Sequence, residues 1–554
     1  MSDSDTANKD PWYVLMTLYG EANEGEIDAS TYERNRDAWN AWVMHGMNEE
    51  QKQFFGAITD IKLPAPDYSG RDLGALKQLH KDEMLKRNGD DFEYPGMPNP
   101  SSGVNLSELA HISSSLKLDG YVLPHLECWT KTEFKSLEFR NTVFLGALRF
   151  QALEVSENFC CDSCHILGGV LLKSCSLNGN FTITNSTLHQ GIKLTASGVN
   201  GEFVLRKVRI NFGFIVEHFH FRDFAKFQYV HLGGDLIMGT NVQFEKGAQF
   251  FGCEVQGYLS GGAAFAQLVV FSETSFIKSA NFAKVQFWSD LKFINVNFEQ
   301  QVDFSGISLP GSVKFENVSF NGGSRFNGTK FGSKDSKRKS SIAFIDCQFE
   351  KSANFREVTF ADKFPVLSGT VLHESTIITA GDNYWPTDVE QGELQEARES
   401  SATLRQLMNR QGSPEDEHFF FRREMDFVRR SQKGLKRIPF ELYKHLSDFG
   451  NSIARPFWAI LLVWFFGLLV FVDSSSFNNQ VGSQFISIEG ITSAAGFSFS
   501  NLFPVFGFRR LFFDVNFLRM LPDYLKFMSA LQTILSLPLL FLLGLGIRQR
   551  FRLR

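Results

Sequence analysis

Large apolar side chains recur every eleven residues along two long stretches of this chain. Phe271, Phe282, Phe293, Phe304, Phe315 and Phe326 form one track, and Phe265, Phe276, Phe287, Phe298, Leu309, Phe320 and Phe331 form another. An earlier set keeps the same interval: Leu177, Leu188, Val199, Ile210 and Phe221, interleaved with Phe181, Ile192, Phe203 and Phe214, and with Ile183, Leu194, Leu205 and Val216 as a third track. Locally the apolar residues stand five or six apart. A half-buried strand alternates with period two and a helix repeats at three to four, so neither accounts for the pattern. A fixed period sustained over many repeats marks a solenoid and outranks local propensity.

Many blocks are V-x-F triplets, such as Val285–Phe287, Val302–Phe304 and Val313–Phe315. Two inward side chains flanking one outward residue describe a short strand. Asn, Gly, Ser and Glu between triplets suit tight turns. One such strand buries little, but stacked coils bury a continuous column and pair their backbones. The chain is therefore expected to be mainly β: a right-handed parallel β-helix with Phe271, Phe282, Phe293, Phe304, Phe315, Phe326, Phe276, Phe287, Phe298, Phe320 and Phe331 as core, and Phe304 stacked between Phe293 and Phe315. The 59 Phe among 554 residues follow largely from this repeat.

Four regions are expected. Residues 1–130 read as a helical and irregular head, with "YERNRDAWNAWVMHGMNEEQKQFF" as one amphipathic helix bearing Trp39, Trp42, Val43 and Met47. Pro64, Pro66, Pro95, Pro98 and Pro100 break the rest of the head into turns and linkers. The repeat occupies 131–380, interrupted by a polar insert "GSKDSKRKS" at 332–340. Residues 391–445 read as a helical hairpin that caps the open coil end, with Ser413 as N-cap and Pro414 at the first helical position. A membrane domain fills 453–550.

Within that domain, 456–472 and 527–547 are apolar enough to span a bilayer. Arg422, Arg423, Arg429, Arg430, Lys433, Lys436, Arg437 and Arg455 precede the first span, and Arg548, Arg550, Arg552 and Arg554 follow the last. Both basic flanks belong on the cytoplasmic side, which requires an even number of crossings. The apolar, Gly- and Ser-rich segment 491–508 between them then reads as interfacial or re-entrant. The opening "MSDSDTANKDPWYVL" lacks the basic start and apolar core of a secretory signal.

The triplets Ala280-Asn281-Phe282 and Ala353-Asn354-Phe355 resemble the motif of the pentapeptide-repeat family: Ala, then Asp or Asn, then Leu or Phe, then two variable residues. Elsewhere Val or Ser often replaces Ala, and fives alternate with sixes. Together with the helical segment and the C-terminal hydrophobic pair, the chain from about 130 to 554 resembles bacterial membrane-associated members of that family. The resemblance implies a β-helix and a multi-pass location in the bacterial cytoplasmic (inner) membrane, and the basic flanks place both termini and the repeat in the cytoplasm. It carries no catalytic residue.

Chemistry-bearing constellations are sparse. Cys161, Cys164, His165 and Cys175 are a zinc-ligand candidate, because C-x-x-C and an imidazole supply soft donors. The competing reading is buried Cys as filler at coil positions. His218 and His220 share a strand face, and Glu417-His418 lack the following His of a metalloprotease helix. No Gly-rich phosphate loop or G-x-S-x-G elbow is present. The formal charge of -5 argues against nucleic acid as a partner. Seven sparsely placed Cys suit a reducing compartment.

These readings point to a membrane-anchored cytoplasmic scaffold or protein-binding module. It would have no catalytic activity and no cofactor, with lipid and a protein of undetermined identity as partners. The alternative class is an oligomeric pore or channel-like effector, in which Ser and Gly of 491–508 line a conduit and the repeat acts as a sensor.

Overall fold

The computed structural model describes all residues except 1–6, 22–27, 62–72, 110–114, 334–338, 475–487, 510–512 and 552–554. Pro64, Pro66, Arg552, Arg554 and most of the polar insert lie outside the described residues. The chain divides into two compact units, Met1–Asp388 and Val389–Arg554.

The first unit is a parallel β-solenoid of about 12 turns. Phe159 pairs in register with Phe181, and Phe181 with Phe203, so one coil takes 22 residues. Each coil has four sides. One ladder runs from Ser115–Asp119 to Ile342–Ile345, and the next from Val122–Leu123 to Gln348–Phe349. The other two sides join where Ile192–Val199 and Phe214–Phe221 run unbroken around a corner. Apolar residues spaced five, six, five, six therefore mark the four sides of one coil. Val313 pairs with Ile342 and Phe320 with Phe349, so the ladders resume in register beyond the insert.

The eleven-residue track thus corresponds to half a coil, and Phe304 does not stack between Phe293 and Phe315. It stacks on Phe282 and Phe326, with centroids 4.8 and 5.2 Å away and planes within 10°. Phe293 and Phe315 meet it edge-on from the adjoining column at 5.7 and 5.8 Å. The coil-to-coil spacing of a β-ladder imposes the parallel stacks. The orthogonal contacts between columns supply the favourable quadrupole geometry.

Corners explain the polar residues between the rings. Asn141, Ala152, Ser163, Ser174, Asn185, Ala196, Lys207, His218 and Tyr229, each eleven after the last, take left-handed backbone conformations. A non-glycine residue there costs roughly 1–2 kcal/mol, offset in part by side-chain ladders such as Asn185 Nδ2 to Asp162 Oδ1 at 2.9 Å. Farther along, one corner per coil becomes a four-residue turn, with Val285 N–H donating to Phe282 O and Thr329 N–H to Phe326 O. Gly306 and Gly328 hold the third position of two such turns at φ 70 and 71°, as a type II turn requires.

The head closes the first coil. Its helices are α1 (Pro11–Met16), α2 (Ala29–His45), α3 (Glu49–Gly56), α4 (Leu73–Asn88) and the short α5 (Leu106–Leu109). The single helix expected over 32–55 is two. Gly46 ends α2, and Asn48 starts α3 through a reciprocal capping box with Gln51. Asn40 of α2 donates to Gly120 O and accepts from Val122 N, and Trp39 Nε1 donates to Val122 O at 2.9 Å. These bonds satisfy a strand edge that would otherwise stay open. Pairing begins at Val104 with Leu126, so strands reach into the stretch read as head. At the other end Trp385 covers Phe360 and Phe364 at 4.8 and 5.3 Å, and Phe360 N–H donates to Tyr384 O. Residues of the same unit thus pack against the last coil.

The second unit is helical: α6 (Leu394–Gln411), α7 (Pro414–Ser431), α8 (Ile438–Ser447), α9 (Ala454–Val472), α10 (Ile488–Leu502), α11 (Val515–Met520) and α12 (Asp523–Phe551). Pro414 occupies the first turn of α7. Ser413 makes no cap bond to the backbone, and its hydroxyl instead donates to Asp416 at 2.8 Å. Among the described residues, α9 and α12 are long and apolar enough to cross a membrane.

Candidate functional site

Of the four candidate ligands, Cys161 and Cys164 lie side by side with their thiols in hydrogen-bond contact, and Cys175 stands half a coil away. Cys161 is buried in a ring column, paired in register with Phe139 and Ile183. Cys164 and Cys175, half a coil apart, occupy two different corner ladders. Cys164 Sγ donates to Phe139 O at 3.4 Å and Cys175 Sγ to Phe150 O at 3.3 Å. Thr142, Thr274 and Thr370 make the equivalent bond at their own corners, to Leu118, Phe250 and Phe344 carbonyls. The thiols are thus members of a hydroxyl-or-thiol ladder that ties each coil to the previous one. His165 faces outward and bonds Asp60 at 2.8 Å. Burial pushes the Cys175, Cys253 and Cys347 thiols up to about 11. Among the described residues no group of three or more His, Cys, Asp or Glu is placed to hold a metal. His218 is likewise a corner residue, its Nδ1 3.2 Å from Asn241 Nδ2 one coil on.

Phe271, Phe282, Phe293, Phe304, Phe315, Phe326, Phe276, Phe287, Phe298, Phe320 and Phe331 are all buried. The solenoid is filled by rings, which leaves its exterior as the surface available to other molecules. One face of that exterior is apolar in its middle coils. One row of its outward positions, in register, is Leu171, Lys193, Ile215, Ile237 and Ser260, beside a polar row of Lys173, Thr195 and Glu217. At the edge of the same face Phe212 and Tyr258 are 63% and 50% exposed. Gly233, Gly234 and Gly257 occupy the corner between them and contribute no side chain. Isolated exposed apolar residues are ordinary; a group on one face is not. The eleven-residue period reports inward positions only, so this outward group escapes it. Its signal lies in "NFGFIVE" and "GGDLIMG", where apolar residues fill both strand phases.

In the second unit three arginines of the basic stretch 422–437 are paired with carboxylates. Arg422 pairs with Asp448 at 3.1 Å, Arg429 with Asp426 and Glu441 at 3.0 and 2.7 Å, and Arg437 with Glu441 at 2.6 Å. Burial opposes ionisation of Asp426, but Lys444 and Arg429 prevail and hold its carboxyl below the usual range. The Arg422, Arg429 and Lys444 pairs fasten α7 to α8 and its C-terminal end.

Between α9, α10 and α12 lies a knot of uncharged polar groups. Gln532 donates to Val463 O at 3.0 Å and to Ser498 Oγ at 2.9 Å, and its carbonyl accepts from Asn501 Nδ2 at 3.0 Å. Ser529 donates to Asn501 Oδ1, Ser498 to Trp464 O, and Thr533 to Asn501 O. All of Ser498, Asn501, Ser529 and Gln532 are buried. Apolar clusters flank the knot, Phe471 with Phe497 and Leu525 on one side and Ile460 with Leu502 and Leu539 on the other. Helix α10 runs from the first cluster to the second. Phe513 and Phe517 pack against the first.

No family model, curated protein or solved structure matches the chain. The solenoid is consistent with a repeat β-helix such as that of pentapeptide-repeat proteins.

Proposed function

We propose that this protein is a membrane-anchored β-helical scaffold of the pentapeptide-repeat kind. In this reading α9 and α12 hold it in a bacterial cytoplasmic membrane, the solenoid and both termini face the cytoplasm, and the solenoid binds a protein without transforming it. The observation that carries the reading is the pairing of a solid core with an apolar outer face at Phe212, Ile215, Ile237 and Tyr258. A filled rod offers rigid, preorganised surface, and an exposed apolar group with polar surroundings is what a protein partner covers. The pore reading has less support, because the polar atoms of the α9–α10–α12 knot are bonded to one another.

A photo-crosslinking side chain at Ile237, in the full chain in its native membrane, is expected to give one discrete protein adduct that is lost on Ile215→Lys. The same label at Ser275, which faces outward from another side, should not give it. Identical adduct patterns from both positions would contradict a dedicated binding face.

A further inference from the structure

The helical unit contains a cavity of about 730 Å³ beside the ends of both apolar helices. Arg405 of α6, Glu417 and His418 of α7, Asn451 of the α8–α9 link, and Gln549 and Arg550 of α12 line it, with Phe421 and Pro414 as apolar wall and Glu415 at its margin. Asn451 stands just before α9 begins at Ala454, and Gln549 lies just beyond the apolar run that ends at Ile547. The cavity therefore sits where the apolar surface of the helical hairpin gives way to charge.

Its lining is incomplete on its own. His418 Nε2 and Gln549 Oε1 are buried without a hydrogen-bond partner. Such groups are costly to leave unmatched. Arg405 is engaged by Glu424 at 2.8 Å, and Glu417 accepts from Asn409 at 3.0 Å with acceptor capacity to spare. The lining thus offers a cation, Arg550, together with the acceptors Glu417 and Gln549. A simple anion would leave the carboxylates facing it, and a simple cation would face the guanidinium. A ligand with a phosphodiester and a primary ammonium a few bonds apart satisfies both, accepting from Arg550 and donating to Glu417 and Gln549.

We infer that this cavity seats the phosphoethanolamine head of a glycerophospholipid, with its acyl chains along the apolar helices. The inference rests on the membrane-anchored reading above. The head would tie the cytoplasmic hairpin to the lipid surface.

The test uses the full chain reconstituted in nanodiscs with equal phosphatidylethanolamine, phosphatidylcholine and phosphatidylglycerol, followed by extraction in mild detergent and counting of retained lipid by mass spectrometry. Phosphatidylethanolamine is expected to be retained above its bulk share. Phosphatidylcholine should not be, since its trimethylated nitrogen has no N–H to donate. Arg550→Gln and Glu417→Gln are each expected to reduce retention about tenfold, the worth of a charge-assisted hydrogen bond. Arg548→Gln, at an exposed site on the same helix end outside the cavity, should leave retention unchanged. Retention in proportion to bulk composition, or equal losses in the Arg548 and Arg550 variants, would overturn the inference while leaving anchoring intact. Displacement by soluble glycerophosphoethanolamine at equal concentration would overturn the lipid as the source. A wild-type chain that fails to enter the discs would overturn anchoring and this inference together. The wild-type headgroup preference needs no variant, so misfolding of a substituted chain does not blur the result.

Discussion

Phe304→Asp is expected to unfold the middle coils of the solenoid, whereas Asp303→Ala, one residue away, should be mild. The Phe304 ring is fully buried. It is sandwiched between Phe282 and Phe326 and met edge-on by Phe293 and Phe315. Removing such a ring costs about 3–5 kcal/mol, and enclosing a carboxylate in its place adds a further desolvation cost of several kcal/mol. The sum approaches the roughly 5–15 kcal/mol that stabilises a whole domain. Because coils are held only by their neighbours, the loss should spread from the middle outward. Asp303 points outward, accepting from Ser305 N–H at 2.8 Å and lying 3.7 Å from Arg325. Its loss should cost on the order of 1 kcal/mol. Circular dichroism melting and limited proteolysis of residues 1–388 would read the difference. Equal protease sensitivity of the two variants would contradict the assignment of columns.

Gly467→Val is expected to dismantle the helical unit. Gly467 lies in α9 directly over the knot, and a Cβ there would fall inside the Gln532 amide and against Ser498 Oγ. The clash cannot be relieved by a simple rotamer change, because Gln532 is held by Val463 O, Ser498 and Asn501 at once. Overpacking of this kind costs about 1–3 kcal/mol or more, and each interhelical hydrogen bond given up adds about 0.6–2 kcal/mol. Gly544 is the matched control. Its Cβ position meets nothing within 4 Å, so Gly544→Ala should be neutral or gain up to about 1 kcal/mol of helix propensity. Thermal aggregation of the detergent-extracted full chain, followed by size-exclusion chromatography, separates the two. A Gly467→Val chain as monodisperse and as heat-stable as wild type would show that the knot does not hold the helices together.

The solenoid was legible because its signal is chemical and periodic. A large apolar residue at each side of a coil survives any uncertainty about turns. The coil length was less legible. Opposite sides of one coil carry the same residue type, so Phe293, Phe304 and Phe315 look like successive members of one column when they alternate between two. Only the strand register separates eleven from 22. The corner role of Cys164 and Cys175 is hidden for a related reason. At a corner, thiol and hydroxyl do the same work as donors to the preceding coil. The closure of the solenoid by Asn40, Trp39 and Trp385 had no periodic signature, since an end occurs once. The cavity beside His418 and Gln549 joins residues more than a hundred positions apart, on helices whose pairing no local pattern announces. The two apolar helices, in contrast, are read directly from runs of uncharged residues.

Alkaline carbonate extraction of cell membranes, comparing the full chain with residues 1–388, tests the central claim most directly. The account predicts that the full chain stays in the pellet, because α9 and α12 are held in hydrocarbon. Residues 1–388 should move to the supernatant as a folded rod with the β-rich circular dichroism of the solenoid. A full chain that washes into the supernatant would contradict membrane anchoring. A fragment that stays with the membrane would contradict the assignment of that anchoring to the helical unit.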